Sequence, residues 1–273
     1  MKNKKHYYRV LSIAGSDPSG GAGLQADIKT ISACGCFATT AITAVVNENT
    51  LGVTGVHPIP IDFVIGQIRS VLDDIGADAI KIGMLHSAEL VMAVKNTLSD
   101  YPEIKNIVLD PVMVATSGDP LLEKDAIDTL KNELIPMARI ITPNLPEAEI
   151  LLGEKIRSEN LSEAAILLSK ENQGVSVFMK AGHLSDKNLI DYFYNGEDDK
   201  LLPLSSERVD TRNTHGTGCT LSSAIASFLA RGEKPDQAAI MAKRYISEAI
   251  KSGAEYNIGH GNGPVNHFFR FNR

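Results

Sequence analysis

Val10-Leu-Ser-Ile-Ala14 is followed directly by Gly15-Ser-Asp-Pro-Ser-Gly-Gly-Ala-Gly23, and a helical pattern then continues to Ala33. An apolar strand, a glycine-rich loop and a helix in this order are typical of parallel α/β proteins, because a parallel strand needs a crossover connection before the next strand can pair with it. The stretch therefore predicts an α/β fold whose first strand begins at residue 10.

The same alternation of short apolar runs and longer helical patterns continues along the chain. It predicts further strands at residues 39–46, 79–82, 107–109, 139–141 and 175–179. Helical spacing predicts helices at about residues 23–33, 62–75, 88–98, 124–134, 161–170, 218–230 and 235–251, the second of them capped by Asp62. Residues 189–194 and 201–204 suggest an antiparallel hairpin at one edge. Together these elements predict one domain over residues 1–273, a three-layer αβα sandwich with a mostly parallel central sheet.

Composition and charge exclude several classes of protein. Of the 273 residues, 43% are hydrophobic and 22% are charged, which excludes a disordered or fibrous chain. The formal net charge of −6 disfavours a nucleic-acid-binding protein, and no apolar run is long enough for a transmembrane helix. The three cysteines, Cys34, Cys36 and Cys219, lack the spacing of a disulfide framework. We therefore expect a reduced, soluble, cytoplasmic protein that binds neither nucleic acid nor membrane.

The residues that can carry chemistry follow the predicted strands. They lie in segments 15–23, 47–49 and 83–84, at Asp110, and in segments 144–147 and 180–183. In open parallel sheets, ligands bind outside the carboxyl ends of the strands. A ligand site is therefore expected at this edge of the sheet.

The first glycine-rich loop has three interpretations. Gly21-Ala-Gly23-Leu-Gln-Ala26 fits the dinucleotide-binding pattern, with Glu48 near the place of the ribose carboxylate. A dinucleotide turn begins directly at the strand end, however, whereas here about six residues intervene. The alternatives are a loop without a ligand, and a loop whose small residues admit a small substrate, with Asp27 one helical turn inside.

The segment Thr214-His-Gly-Thr-Gly-Cys-Thr-Leu221 predicts a helix start that binds anions. Gly216 and Gly218 permit unusual φ values, and the helix that follows presents the N–H groups of Thr217, Gly218 and Cys219. A transferring phosphoryl group is a natural occupant of such a site. The helix dipole would also favour the thiolate of Cys219, unless this cysteine is a buried structural residue.

Asn144-Leu-Pro-Glu147 follows a predicted strand and has two interpretations. Its first and last side chains either offer oxygens to hydrated Mg²⁺ or form the capping box of a helix. Lys180, at another strand end, either neutralises a phosphate or is a solvated edge lysine. His183 and His215 are not spaced as metal ligands with a third partner, so no zinc site is expected.

Several segments, in order, carry a resemblance to a known family. They are Ala14-Gly-Ser-Asp-Pro-Ser-Gly-Gly-Ala-Gly-Leu-Gln-Ala-Asp27, Lys81-Ile-Gly-Met-Leu85, Asp110-Pro-Val-Met113, Thr142-Pro-Asn-Leu-Pro-Glu147, Met179-Lys-Ala-Gly-His183, Asn213-Thr-His-Gly-Thr-Gly-Cys-Thr-Leu221 and Gly259-His-Gly-Asn-Gly-Pro264. From about residue 10 to residue 269 the chain resembles the hydroxymethylpyrimidine/phosphomethylpyrimidine kinases of thiamine biosynthesis, which belong to the ribokinase-like superfamily. The resemblance implies an αβα fold with a mixed sheet, and it implies ATP and Mg²⁺ as cofactors. The implied reaction is phosphorylation of 4-amino-5-hydroxymethyl-2-methylpyrimidine, and then of its monophosphate to the diphosphate.

The resemblance also assigns roles to residues of this sequence. Residues implied to surround the pyrimidine are Gly15, Asp27, Met84 and Val112. Cys219 stands at the place of the proposed base, and the anion hole comprises Gly216, Thr217, Gly218 and Cys219. Nucleotide contacts are implied for Lys180, Thr214, Gly216 and Gly218, and metal contacts for Asp110, Asn144 and Glu147.

Glu48 departs from the family pattern, which usually has a glutamine that pairs with the pyrimidine edge. A glutamine both donates and accepts, whereas an ionised glutamate only accepts, so either the substrate ring or Glu48 must supply a shared proton. The alternative is that Glu48 turns outward and Asn47 or Asn49 contacts the ring.

Two other functions are compatible with these motifs. Pyridoxal kinase is a close relative within the family and uses a similar Gly-Thr-Gly-Cys segment. A non-catalytic protein that binds a vitamin precursor is the alternative without enzymatic activity. Many relatives are dimers, and apolar surface on the edge hairpin would suit a homodimer. Residues 114–120 are considered as a lid loop.

Overall fold

The computed structural model describes residues 5–113, 124–182 and 188–271. Its main sheet has eight strands in the order β10-β9-β8-β7-β6-β5-β1-β2, and β3 and β4 form a separate two-stranded sheet. The strands are β1 (Arg9–Ala14), β2 (Phe37–Ile42), β3 (Ala44–Asn49), β4 (Gly52–Pro58), β5 (Ala79–Ile82), β6 (Ile107–Leu109), β7 (Ile140–Ile141), β8 (Ser176–Met179), β9 (Asn188–Asn195) and β10 (Lys200–Glu207).

The sheet is parallel from β2 to β8 and antiparallel at β9 and β10, which confirms the predicted architecture with its edge hairpin. The chain moves from β1 outward to β2 and then returns to place β5 on the other side of β1. Strand order therefore reverses between β1 and β5, and such a reversal opens a crevice at the carboxyl ends of the strands.

Helices cover both faces of the sheet. They are α1 (Gly23–Ala33), α2 (Ile61–Asp74), α3 (Ala88–Ser99), α4 (Lys124–Thr129), α5 (Leu145–Leu152), α6 (Leu161–Glu171), α7 (Thr217–Ala230) and α8 (Pro235–Gly253). One core lies between the sheet and helices α2 to α6, and the other lies between the sheet and α1, α7 and α8. Along β1, Leu11 and Ile13 pack into the first core and Val10 into the second, as the alternation of a strand requires.

Two expectations about elements are wrong. The strand expected over residues 39–46 is two strands, because the chain leaves the main sheet at Thr43, whose N–H donates to Ala14 O and whose Oγ1 donates to Met84 O. The expected Asp62 cap is displaced, since α2 begins at Ile61 with Pro60 at the N-cap. His183 and the segment 114–120 lie outside the described residues. None of the helices in the described part of the chain combines the length and hydrophobicity needed to cross a membrane.

Candidate active site

A cavity of about 790 Å³ lies at the carboxyl ends of the parallel strands, beside the reversal between β1 and β5. It brings together the candidate site residues from distant parts of the sequence. Those that line it are Gly15, Glu48, Met84, Asp110, Val112, Asn144, Glu147, Lys180, Thr214, Gly216, Thr217, Gly218 and Cys219. Asp27 is the one predicted site residue that does not line it.

At one end of the cavity, Asp110, Glu147 and Lys180 form what we call the lysine cluster. Lys180 Nζ lies 3.0 Å from Asp110 Oδ1 and 3.7 Å from Glu147 Oε2. Thr142 Oγ1 donates a further hydrogen bond of 3.0 Å to Asp110 Oδ1. These side chains follow β6, β7 and β8, so three neighbouring parallel strands deliver them to one place. Lys180 is an ion-paired cavity residue with a side chain that is 16% exposed, rather than a solvated edge lysine.

The charges in the lysine cluster stabilise one another unequally. Burial disfavours the charged form of Lys180, but Asp110 and Glu147 outweigh it and raise its pKa. Burial also disfavours ionised Asp110, yet Lys180 and Lys81 hold the pKa of that carboxyl below its usual range. For Glu147 burial prevails over Lys180 and raises the pKa to about 7. The cluster therefore contains one fixed cation, one fixed anion and one carboxyl that titrates near neutral pH.

Asn144 and Glu147 also form the capping box of α5. Asn144 Oδ1 accepts from the backbone N–H of Glu147 at 2.9 Å, and Glu147 Oε2 accepts from the backbone N–H of Asn144 at 2.8 Å. The capping interpretation is thus realised. It does not remove these groups from the cavity, because both residues line it and the Glu147 carboxyl faces Lys180.

The start of α7 faces the lysine cluster. Gly216 is its N-cap in the left-handed region with φ +78°, which favours glycine. Gly218 differs from the expectation, because it lies in the first turn of α7 without a positive φ. A Cβ on Gly218 would lie 3.3 Å from Asp110 Oδ2 and 3.3 Å from Lys180 Nζ, so the backbone of α7 passes close to both groups. The N–H of Thr217 donates to Thr214 O at 3.3 Å, so the anion-hole hypothesis depends on the N–H groups of Gly218 and Cys219.

Burial opposes the Cys219 thiolate that the helix dipole would favour. Burial raises the pKa of the thiol to about 12, although Lys81 and the backbone N–H of Gly23 act in the opposite direction. Burial therefore favours the neutral thiol of Cys219 over its thiolate.

Asp27 does not line the cavity, and its expected role beside the pyrimidine stays a prediction. The side chain is 0% exposed and accepts hydrogen bonds from Ser12 Oγ at 2.6 Å, Lys81 Nζ at 2.8 Å and Ser223 Oγ at 2.7 Å. Lys81 is also fully buried and is the necessary partner, because an unpaired charge in the interior is costly. The motifs of the sequence do not identify Lys81 as a site residue, although a lysine inside the apolar run of β5 indicates a buried ion pair.

At the other end of the cavity, Asp17, Glu48 and His215 form what we call the histidine cluster. His215 Nε2 lies 3.0 Å from Asp17 Oδ2 and 3.7 Å from Glu48 Oε1. Glu48 faces the cavity while Asn47 and Asn49 are exposed, so the hypothesis that Glu48 turns outward is wrong. The apolar part of this end includes Val46, Met84 and Val112.

Burial and the neighbouring charges shift the pKa values of all three residues in the histidine cluster. Burial disfavours charged His215, but the hydrogen bond to Asp17 and the charge of Glu48 outweigh it and raise the pKa of the imidazole. Burial likewise opposes ionisation of Asp17, yet hydrogen bonds from His215, Ser19 and Ala22 hold its pKa well below the usual range. For Glu48, burial raises the pKa, Asp17 adds to this, and His215 opposes it.

A metal ion does not fit the histidine cluster, although its three ligand atoms lie within 4.8 Å of one another. The Asp17 carboxylate already accepts from the backbone N–H groups of Ser19, Gly21 and Ala22, from Ser19 Oγ and from His215. Those N–H groups are consequently not directed at a pyrophosphate either, which removes the dinucleotide interpretation of this loop. The motifs of the sequence do not identify Asp17 as a site residue, and they offer His215 only as a candidate metal ligand.

Comparison with known proteins places the chain in a family. The model of the phosphomethylpyrimidine kinase family matches residues 17–266. The hydroxymethylpyrimidine/phosphomethylpyrimidine kinase of Rhizobium meliloti is 44% identical over 263 residues, which cover 96% of this chain and 97% of that protein. The thiamine biosynthesis bifunctional protein ThiED of Geobacter sulfurreducens is 43% identical over 94% of this chain and 52% of its own length.

A solved structure agrees with this assignment. Bacillus subtilis pyridoxal kinase, in an ADP complex, matches with a TM-score of 0.89 and 34% identity over 98% of this chain and 100% of that chain. The mostly parallel sheet between two helical layers is accordingly the ribokinase-like fold. Since the family model spans most of the sequence and the Rhizobium kinase matches nearly end to end, the chain belongs to the phosphomethylpyrimidine kinase family.

Proposed function

We propose that this protein transfers the γ-phosphoryl group of ATP to 4-amino-5-hydroxymethyl-2-methylpyrimidine, and then to its monophosphate, in thiamine biosynthesis. We also propose that residues 1–273 form one kinase domain. The observation that carries the proposal is the position of the α7 start, which faces Asp110 and Lys180 across the end of the cavity. Helix N–H groups, a fixed cation and carboxylates are what phosphoryl transfer requires.

The phosphates of ATP belong at this end. Lys180 keeps its positive charge because Asp110 and Glu147 raise its pKa, and it would neutralise charge on the transferred group. Gly218 and Cys219 offer backbone N–H groups from the first turn of α7. Thr214 and Gly216 complete the nucleotide contacts that we propose.

The lysine cluster also fits Mg²⁺. The oxygens of Asp110, Asn144 and Glu147 are the hard ligands that this ion prefers, and it needs few protein ligands when phosphates supply others. A bound divalent cation would ionise Glu147, whose pKa burial raises to about 7. Mg²⁺ would neutralise the charge on the phosphate oxygens.

The pyrimidine belongs at the histidine cluster. Gly15, Met84 and Val112 line the cavity, and the apolar side chains of Met84 and Val112 would pack against the pyrimidine ring. The Glu48 carboxyl, with its raised pKa, would present a hydrogen-bonding edge to the ring nitrogen and the exocyclic amine. One proton is shared across that contact, held by the ring or by Glu48.

Cys219 is the proposed acceptor of the hydroxyl proton. In the transfer, the hydroxymethyl oxygen forms a bond to the γ-phosphorus, the bond between this phosphorus and the bridging oxygen of ADP breaks, and the hydroxyl proton moves to the base. Only a thiolate can accept it, so the thiol must ionise first, against a pKa of about 12. Lys81 and the N–H of Gly23 are the groups that favour the thiolate.

The test is an ADP-coupled assay with three acceptors side by side: the hydroxymethylpyrimidine, its monophosphate and pyridoxal. We expect both pyrimidines to be phosphorylated with a kcat/KM at least about tenfold above that of pyridoxal, a difference that one set of paired hydrogen bonds supplies. A preference for pyridoxal would assign the second candidate, pyridoxal kinase, which the similarity to the Bacillus subtilis enzyme favours. Absence of ADP formation with all three would leave a non-catalytic binding protein.

We further propose that the protein is a cytoplasmic homodimer. Val45, Leu51 and Val56, on or beside the β3–β4 sheet, expose 46%, 70% and 41% of their surface. Light scattering after size exclusion would measure the mass, with twice 29.4 kDa expected and a single-chain mass contradicting the dimer.

A further inference from the structure

The loop after β1 is folded around a single carboxylate. Asp17 accepts the backbone N–H groups of Ser19 at 2.7 Å, Gly21 at 3.0 Å and Ala22 at 2.7 Å. Ser19 Oγ donates a further hydrogen bond of 2.8 Å. The carboxylate therefore fixes the course of residues 17–22, which we call the first glycine loop.

The same carboxylate reaches a second loop from the far end of the sequence. His215 belongs to residues 214–218, which we call the second glycine loop, and its Nε2 lies 3.0 Å from Asp17 Oδ2. The backbone N–H of His215 donates to Gly263 O at 3.0 Å, so the ring is directed at Asp17 from a fixed backbone. Both side chains are buried, at 7% and 2% exposure.

The two loops are also in direct backbone contact. A Cβ on Gly21 would overlap His215 Cδ2, and a Cβ on Gly216 would overlap the carbonyl oxygen of Gly21. Glycine is required at both positions for this close approach. Because the loops touch, a displacement of the first is transmitted to the second, which ends at the N–H groups of α7.

We propose that Asp17 and His215 form a clamp that holds the start of α7 in the geometry for phosphoryl transfer. The inference rests on the proposed function and adds two positioning residues to it. Neither side chain needs to touch the reacting atoms. Their effect passes through Gly216 to the N–H groups of Gly218 and Cys219, and misplacement of such groups by about 1 Å can cost on the order of 100-fold in rate.

The clamp has a defined dependence on pH. Asp17 and Glu48 are the charged groups that face His215, and both favour the imidazolium, so the pKa of His215 is raised despite burial. A raised folded-state pKa stabilises the fold fully below the unfolded value of about 6.5, and this contribution is lost as pH rises through the folded pKa.

The test uses two substitutions that differ in where they place an N–H donor. His215→Gln puts its amide nitrogen near the position of Nε2 and keeps the hydrogen bond to Asp17. His215→Asn puts its amide nitrogen near the position of Nδ1, and this shorter side chain does not reach Asp17. Ser19→Ala is the control, since it removes one hydrogen bond to Asp17 and leaves the contact with His215 intact.

We expect Ser19→Ala to keep kcat within about threefold of the wild type, and the kcat of His215→Asn to lie about 10- to 100-fold below that of His215→Gln, the cost of misplaced groups. Because Gly216 and Gly218 are also proposed to contact the nucleotide, ATP affinity, measured by calorimetry, should fall in His215→Asn and change little in Ser19→Ala. Equal kcat values for His215→Gln and His215→Asn would overturn the clamp, because Asp17 would then only fold its own loop.

A second measurement does not depend on catalysis. The ¹⁵N shifts of the His215 ring in the substrate-free protein report its titration, and Asp17→Asn should lower its pKa toward the unperturbed value of about 6.5. An unchanged titration would contradict the clamp even if no acceptor were found. Should Asp17→Asn fail to fold, the melting temperatures of His215→Gln and His215→Asn at pH 6 and pH 9 decide the matter. His215→Gln keeps the hydrogen bond but not the charge, so it should come closer to the wild type at pH 9 than at pH 6, and His215→Asn should lie below His215→Gln at both.

Discussion

The two ends of the cavity have nearly the same composition and differ in one group. The lysine cluster and the histidine cluster each contain an aspartate whose pKa is held low, a glutamate whose pKa burial raises, and a base beside both. In one cluster the base is Lys180, and in the other it is His215. A lysine with a raised pKa keeps its charge at any physiological pH, whereas a histidine can lose its charge near neutrality.

The ligand that each glutamate is proposed to bind predicts opposite responses of the two clusters to pH. At the lysine cluster, a rise in pH removes the proton from Glu147 and adds a metal ligand, while Lys180 remains charged. At the histidine cluster, a rise in pH removes the proton that Glu48 must share with the pyrimidine. Nucleotide binding should therefore improve with pH, and pyrimidine binding should weaken.

The largest effect is expected at Cys219, which belongs to neither cluster. Cys219→Ala should lower kcat by roughly 10²- to 10⁴-fold, the range for loss of a general base, with ATP binding little changed. Because the pKa of the thiol is about 12, the wild-type kcat should rise with pH through the neutral range. Cys34→Ala, a buried cysteine outside the cavity, is the matched control. Near-normal kcat in Cys219→Ala would make Cys219 a structural residue.

The next largest effect is expected from replacing Lys180, the positively charged residue of the lysine cluster. Lys180→Ala should cost about 2–4 kcal/mol in kcat/KM, by analogy with the loss of one preorganised electrostatic group. It also leaves Asp110 without its ion-pair partner. Lys155→Ala, which removes an exposed ion pair with Glu149, should leave steady-state kinetics unchanged. A similar small effect of both substitutions would show that Lys180 does not act on the phosphates.

A smaller effect is expected from Glu147→Gln. The glutamine can keep the capping box of α5, so the helix should remain, while the anionic ligand is lost. The Mg²⁺ concentration for half-maximal rate should rise, and its dependence on pH around 7 should disappear. An unaltered Mg²⁺ requirement would return Asn144 and Glu147 to a purely capping role.

The smallest effect is expected from Glu48→Gln. The amide restores a donor and an acceptor at the ring edge, so activity should be kept. The rise of substrate KM with pH should become flatter than in the wild type, and any remaining dependence would report ionisation of the pyrimidine itself. A wild-type KM that does not vary with pH, and does not change in Glu48→Gln, would place the ring away from Glu48.

The sheet could be predicted because its strands are short apolar runs separated by helical patterns. Residues 39–46 are an exception, because their apolar pattern continues through Thr43, where the chain leaves one sheet for another. Thr43 is held between the two sheets by hydrogen bonds to Ala14 O and Met84 O, and both partners are distant in sequence.

The cavity lining could be predicted where a motif ends a strand, as at Asp110 and Lys180. Asp27 could not, because proximity along a helix does not reveal that its side chain turns inward to Lys81. The role of His215 was hidden for a similar reason, since its partner Asp17 is 198 residues away. Spacing within one segment carries no information about such pairs.

The most direct test of the claim that the lysine cluster and the histidine cluster respond oppositely to pH is one pH series on the wild-type protein. At each pH from 6 to 9, the same coupled assay would give the half-saturating Mg²⁺ concentration and the KM for the pyrimidine. We expect the Mg²⁺ requirement to fall through pH 7, and the pyrimidine KM to rise as the pH passes the apparent pKa of the proton shared by Glu48 and the ring, which burial raises above the usual range of a glutamate. Two constants that move in the same direction, or that both stay flat, would contradict the assignment of a fixed charge to one end and a shared proton to the other.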